Sequence, residues 1–130
     1  MKIKMYRLVA LVVLMMLSVN AFAEGITTYA DAVFRDASIN ITSSGRVTYT
    51  ASTRSVCGEI SVSNCELQQY VDGSWTTVAT LPSPASIANT QSYLSYTDCA
   101  AYFSSGTYRI IADFSADDYS ITRTSNERTY

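Results

Sequence analysis

Residues 65–81 constrain the fold more than any other part of the chain, because they read as two β-strands joined at Asp72 and Gly73. Asp-Gly between alternating runs is the strongest short-range signal for a β-hairpin, since a type I′ turn needs positive φ at both central residues. Beyond the turn we expect one shared face for four residues, Trp75, Thr77, Ala79 and Leu81. Val78 then lies on the opposite face, which predicts a β-bulge or a partly covered outer face. A lone hairpin is marginally stable in water, so the remaining chain must supply further strands.

The N-terminal 23 residues have the three parts of a secretory signal peptide. Basic residues precede an unbroken apolar run over residues 8–17, and a small-x-small cleavage pattern ends at Ala23. The apolar run has about ten residues, whereas a membrane-spanning helix needs roughly 20. We therefore expect a cleaved signal over residues 1–23, a single domain over residues 24–130, and a secreted, extracellular protein.

The charge of the mature chain limits its partners. Cleavage removes three of the nine basic residues and none of the eleven acidic ones, which leaves a net charge of −5. No lysine and no run of basic residues remains, so the sequence predicts no binding to nucleic acid or to an anionic membrane surface. No remaining apolar run is long enough to span a membrane.

Short alternating stretches separated by turn signals fill the rest of the mature chain. The predicted strands are residues 33–42, 46–53, 65–71, 74–81, 89–98, 107–114 and 119–129. In three of them, alternation places one set of apolar residues on the inner face, namely Ala37, Ile39 and Ile41, Val47, Tyr49 and Ala51, and Tyr108, Ile110, Ala112 and Phe114. Residues 54–64 are expected to connect the second and third strands, with Ile60 and Val62 filling one end of the core. The last strand has Ile121 as its only strongly apolar residue, so we place it at an edge of the sheet.

About seven short strands with this spacing predict an all-β fold, a single immunoglobulin-like or fibronectin-type antiparallel β-sandwich. In that arrangement the hairpin supplies the third and fourth strands, and the sixth strand lies beside the third. A small β-barrel is the alternative.

Several framework motifs resemble those of short exported bacterial proteins, mostly from Gram-positive species, that carry an uncharacterised immunoglobulin-like domain. The shared motifs are Trp75 three residues after Asp72, the Gly-Thr-Tyr-Arg strand entry at residues 106–109, and the Ser-Asn-Glu-Arg tail at residues 125–128. The resemblance covers nearly all of the mature chain and implies a fold and an extracellular compartment, but no activity and no functional residue. One departure is Asp118 in place of the glycine expected at the last hairpin, which predicts a looser turn or one of another type.

The mature chain lacks most catalytic chemistry. Without histidine or lysine it has no Ser–His or Cys–His pair, no Schiff-base lysine and no common zinc site. No phosphate-binding loop or dinucleotide fingerprint occurs either, so we expect no enzymatic activity, no cofactor and no metal. One acidic cluster occurs near the last predicted turn and consists of Asp113, Asp117 and Asp118. We interpret it as a solvated turn, with calcium binding and carboxylate catalysis as alternatives.

Tyrosine and cysteine supply the candidate site residues. Tyrosine side chains give large contact area at low entropic cost, and four of them are expected to face outward as binding aromatics: Tyr70, Tyr96, Tyr102 and Tyr119. We expect a disulfide between Cys57 and Cys65, near one end of the sandwich, and a free thiol at Cys99 near the other. In the alternative all three thiols stay reduced and Cys65 packs as a small core residue.

The sequence therefore predicts a secreted immunoglobulin-like domain that binds a cell-surface glycan or a protein without catalysis. A structural or accessory domain with no dedicated ligand is the alternative, and a carboxylate-based glycan-acting enzyme is a third possibility. A contiguous exposed aromatic patch would favour binding, whereas a surface covered uniformly by serine and threonine would favour the accessory role. The ligand, the pathway and the association with the cell wall stay open.

Overall fold

The computed structural model describes residues 32–130 and consists of seven antiparallel β-strands in one sheet, which confirms the all-β prediction. The strands are β1 (Phe34–Ile41), β2 (Arg46–Val71), β3 (Ser74–Thr80), β4 (Ile87–Asp98), β5 (Thr107–Ala116), β6 (Tyr119–Thr124) and β7 (Arg128–Thr129). A single 3₁₀ turn, Ala100–Tyr102, follows β4. The predicted signal peptide lies outside the described residues, and Val33–Tyr130 forms one compact unit.

Strand β2 organises the sheet, because its two halves pair with different partners. Its first half pairs with β1 on one edge and with β4 on the other. Its second half pairs with β3 and β5 instead. The predicted sixth strand, now β5, therefore lies beside the predicted third strand, as expected. Since β2 runs without interruption through both groups of strands, the sheet is a curled half-barrel.

The predicted connection over residues 54–64 is wrong, because this segment is the middle of β2. Ile60 pairs with Ile87 of β4 on one side and with Ala116 of β5 on the other. The backbone groups of a segment that reads as a polar loop are thus satisfied by two neighbouring strands. Register shifts between Ser52 and Cys57, and again between Ser63 and Glu66, bend the strand around the core.

The core consists of the inward-facing residues that the alternation predicts. Along β5 these residues are fully or almost fully buried, namely Tyr108, Ile110, Ala112, Phe114 and Ala116. Strands β1 and β2 add Ala37, Ile39, Ile41, Val47, Tyr49 and Ala51. Ile60 and Val62 are also buried, as expected. The Tyr49 and Phe114 rings meet edge to face at 6.4 Å, which is a favourable geometry for aromatic pairs.

The hairpin between β2 and β3 has the predicted turn and the predicted bulge. Asp72 and Gly73 have φ values of 50° and 84°, as a type I′ turn requires. Leu67 pairs with Ala79 and Gln68 pairs with Thr77, so Val78 is the extra residue of a β-bulge. The bulge changes which way the earlier residues of β3 face. Trp75 and Thr77 therefore lie on the outer face with Tyr70 and Gln68, whereas Ala79 stays inward, and the single face predicted for β3 is wrong.

The C-terminal tail covers the free edge of β1 through side chains. The Asn126 amide accepts the backbone N–H of Ile41 at 2.7 Å and donates to its carbonyl at 3.1 Å, much as a neighbouring strand would. Arg123 donates to the carbonyl of Ala37, and the Tyr130 hydroxyl donates to that of Thr42. Strand β6 ends the strand order, in agreement with its predicted edge position.

Candidate functional site

The clearest surface feature is a cluster of three side chains on the outer face of β2, β3 and β5, which we call the aromatic–arginine cluster: Tyr70, Trp75 and Arg109. The Tyr70 and Trp75 rings lie 5.2 Å apart with their planes tilted by 57°. The Cζ atom of the Arg109 guanidinium lies 4.3 Å from the centre of the Trp75 ring, within the range of a cation–π contact. Tyr70 is 50 % exposed, so the cluster is open to solvent.

The strand register explains why these side chains meet. Tyr70 pairs with Trp75, and the next outward-facing row brings together Thr77, Gln68 and Arg109 from three adjacent strands. Outward-facing residues on neighbouring strands lie about 5 Å apart, which is within reach of aromatic and arginine side chains. Without the bulge at Val78, Trp75 would face the core and the cluster would lose its centre.

A chain of hydrogen bonds holds Arg109 in place. Its Nε–H donates to Oε1 of Gln68 at 2.8 Å, and Nε2 of Gln68 donates to the Thr77 hydroxyl at 3.4 Å. The Thr77 hydroxyl in turn donates to the Glu66 carboxylate at 3.4 Å. The guanidinium is therefore fixed by one hydrogen bond and by its contact with Trp75. Its two terminal nitrogens form no hydrogen bond or ion pair with any residue in the range 32–130.

The four predicted binding tyrosines do not form one surface. Tyr70 belongs to the aromatic–arginine cluster. Tyr96 is 61 % exposed on β4, where the Arg46 guanidinium lies 4.6 Å from its ring centre. Tyr102 is exposed on the 3₁₀ turn, and Tyr119 is partly buried at the start of β6.

Sequence reasoning missed two of the three residues in the cluster. Trp75 was assigned to the inner face, because simple alternation was extended through β3. The sequence analysis includes Arg109 only as part of the strand entry at residues 106–109 and not as a site residue, because Arg109 lies 34 residues away from Trp75 in the sequence. The predicted bulge at Val78 was the available signal, since an extra residue there reverses the direction of every side chain before it.

The three cysteines are free thiols, so the predicted disulfide is absent. Cys57 and Cys65 are separated by eight residues of one strand, about 26 Å of extended chain, whereas a disulfide needs Cα atoms about 4–7 Å apart. Cys99 is a free thiol, as predicted, and it is fully buried. The structure therefore agrees with the alternative in which Cys65 is a small core residue.

The buried thiols are poor nucleophiles. Burial raises the pKa of the Cys99 thiol to about 11, and the Asp98 carboxylate adds to that rise. Burial also raises the pKa of Cys65. The nearby Tyr49 hydroxyl is fully buried and makes no hydrogen bond of ordinary geometry within the described chain, and burial raises its pKa as well. Since the thiolate is the reactive form, this region of the core is chemically inert at neutral pH.

Two of the three acidic residues near the last hairpin, Asp113 and Asp117, are occupied by structural contacts, whereas Asp118 is exposed in the turn. The Asp113 carboxylate accepts hydrogen bonds from Asn64 and Thr122. The Asp117 carboxylate accepts the backbone N–H groups of Gly58 and Glu59 at 3.2 and 3.1 Å. Only Asp117 of the two turn residues has positive φ, so the turn is not of type I′, as the sequence suggested.

No group of His, Cys, Asp or Glu side chains among residues 32–130 is arranged to hold a metal ion. In the same range no helix is long and apolar enough to cross a membrane. Comparison of the chain with protein-family models, with curated proteins and with solved structures finds no match. The function is therefore argued from the geometry of the aromatic–arginine cluster.

Proposed function

We propose that the protein is an extracellular binding domain without catalytic activity, and that the aromatic–arginine cluster is its binding surface. The carrying observation is the exposed contact between Tyr70, Trp75 and Arg109. Tryptophan, tyrosine and arginine are the residues that most often dominate the energy of protein interfaces. A contiguous patch of this kind favours binding over the accessory role, in which the outer face needs only serine and threonine.

The proposed compartment rests on the signal-like N-terminus. A basic start, an apolar run of about ten residues and a small-x-small pattern support export and cleavage after Ala23. We also propose an immunoglobulin-like relationship, in line with the resemblance to exported bacterial domains. The pairing pattern supports it, because one half of β2 pairs with β1 and β4 and the other half pairs with β3 and β5.

The test begins with the location of the protein in cultures of the producing cell. The protein is followed by immunoblot in the cell, wall and medium fractions, and its N-terminus is determined by mass analysis. The purified protein is then applied to isolated cell walls and to arrays of glycans and extracellular proteins. We expect secretion, and we expect at least one ligand whose binding weakens about tenfold or more in Trp75→Ala, since truncation at a hot spot costs about 2 kcal/mol or more.

Two control variants distinguish this surface from other exposed side chains. Leu94→Ala removes an exposed apolar side chain of β4, and Arg46→Gln removes the other arginine that contacts an exposed aromatic ring. Both should bind like the wild type. A protein that binds nothing on the walls or the arrays would refute the proposal and leave the accessory role. Equal losses in Leu94→Ala and Trp75→Ala would show that the cluster is not the binding surface.

A further inference from the structure

The two rings of the aromatic–arginine cluster are tilted against each other, and this geometry limits what the cluster can bind. A sugar ring stacks best on a flat, uncovered aromatic face. One face of Trp75 is covered by the Arg109 guanidinium at 4.3 Å. The Tyr70 ring is tilted by 57° against Trp75, so the two rings do not form one plane. The uneven exposed surface of two tilted rings in contact suits the side chain of a leucine, methionine or aromatic residue better than a flat pyranose.

The positive charge of Arg109, beside the two rings, also limits what the cluster can bind. Arg109 is the only basic residue in its outward-facing row, and its terminal nitrogens have no partner among residues 32–130. Glu66 on the same face is linked to Arg109 only through Gln68 and Thr77. A guanidinium that is already oriented loses little entropy when its remaining N–H groups donate to a carboxylate in a two-pronged contact.

We propose that the cluster binds an acidic peptide segment of another protein, with an Asp or Glu carboxylate on Arg109 and a neighbouring apolar side chain packed against the exposed side of the Tyr70–Trp75 ring pair. This inference rests on the binding function proposed above and names its ligand. The mature chain has a net charge of −5, so attraction of an acidic partner depends on local contact with Arg109 and not on the charge of the surface as a whole. Arg109 then determines specificity, and the two rings supply the apolar contact.

The test is a selection from a displayed library of random peptides on the immobilised, full-length secreted protein. We expect the selected peptides to share an Asp or Glu next to a large apolar residue. Trp75 is the only tryptophan of the chain, so its fluorescence reports binding of tryptophan-free peptides directly at the cluster. Replacing the peptide Glu by Gln should weaken binding about 10–100-fold, because a hydrogen bond to a charged group is worth more than one to a neutral group.

Variants of the protein identify the group that reads the carboxylate. In Arg109→Gln the Glu and Gln peptides should bind equally, and Arg109→Lys should recover only part of the difference because lysine lacks the fork of N–H donors. Arg46→Gln should keep the full difference. Circular dichroism and thermal unfolding verify that each variant is folded.

Three results would overturn the proposal. The first is a selection that yields no peptide, or only peptides without an acidic residue. The second is an unchanged preference for Glu over Gln in folded Arg109→Gln. The third is Arg109-dependent binding of hexuronate oligosaccharides, tested in parallel, with no peptide binding. The third result would support the proposed binding function but show that the carboxylate belongs to a glycan. If the protein also binds nothing on the cell walls and the arrays, both the binding function and the peptide ligand are refuted.

Discussion

Asp117→Ala tests what stabilises the bent middle of β2, the segment that the sequence predicts as a connection between two strands. The Asp117 carboxylate accepts the backbone N–H groups of Gly58 and Glu59, and its own N–H donates to the carbonyl of Glu59 at 3.2 Å. The residue also has a φ of 53°, which aspartate tolerates better than most side chains. Alanine at this position loses both carboxylate contacts and keeps the unfavourable backbone angle.

The expected loss of stability follows from these two terms. Each of the two solvent-exposed hydrogen bonds contributes about 0.5–1 kcal/mol, because water replaces part of what is lost. A left-handed conformation adds about 1 kcal/mol for alanine. The free energy of unfolding should therefore fall by about 2–3 kcal/mol, which corresponds to a decrease in Tm of about 10–20 °C for a domain of this size.

Urea denaturation followed by circular dichroism measures the change, and Asp118→Ala is the matched control. Asp118 is the neighbouring residue of the same turn, carries the same charge, and makes no hydrogen bond within the described chain. Its replacement should change the free energy of unfolding by less than about 0.5 kcal/mol. Asp117→Asn should fall between the two, because asparagine keeps one acceptor oxygen and tolerates positive φ. Equal effects of the two alanine variants would refute the role assigned to Asp117.

Three further outcomes are expected. Asn126→Ala removes both hydrogen bonds to the buried backbone of Ile41 and should lower the free energy of unfolding by about 1–2 kcal/mol. Glu127→Ala is the control and should not lower it. Equal unfolding midpoints of the two variants in urea would contradict the role of the tail. Native protein at pH 8 should leave all three thiols unmodified by iodoacetamide, and denatured, unreduced protein should take up three equivalents; uptake of one would indicate a disulfide. The pKa of Cys99 is raised to about 11 in the folded state, so the folded protein holds this proton more tightly than the unfolded chain does. The resulting contribution to the free energy of unfolding is about 2–3 kcal/mol; it is complete below pH 9 and is lost between pH 9 and 11. Unfolding midpoints measured over that range should therefore decline less in Cys99→Ala, and parallel pH profiles would contradict this assignment.

The local rules of β-structure made much of the fold predictable. Alternation correctly placed Val47, Tyr49 and Ala51 in the core, and Asp72 with Gly73 correctly predicted the turn between β2 and β3. These predictions hold because side-chain direction in a strand and backbone angles in a two-residue turn depend on nearest neighbours. The candidate site was less predictable, and only Tyr70 of its three residues is predicted from the sequence as a binding residue.

Tertiary pairing decided the rest. Local residue patterns are enough to establish that the chain is all-β, where most of its strands turn, and which residues face inward within each regular stretch. Residues 54–64 continue β2 because two separate strands satisfy their backbone groups there, which depends on tertiary pairing. Tertiary pairing likewise decided that Trp75 faces outward beside Arg109, since a bulge at Val78 changes the direction of the strand and the partner comes from distant β5. Contacts between residues far apart in sequence depend on strand register, and register is a property of the whole sheet.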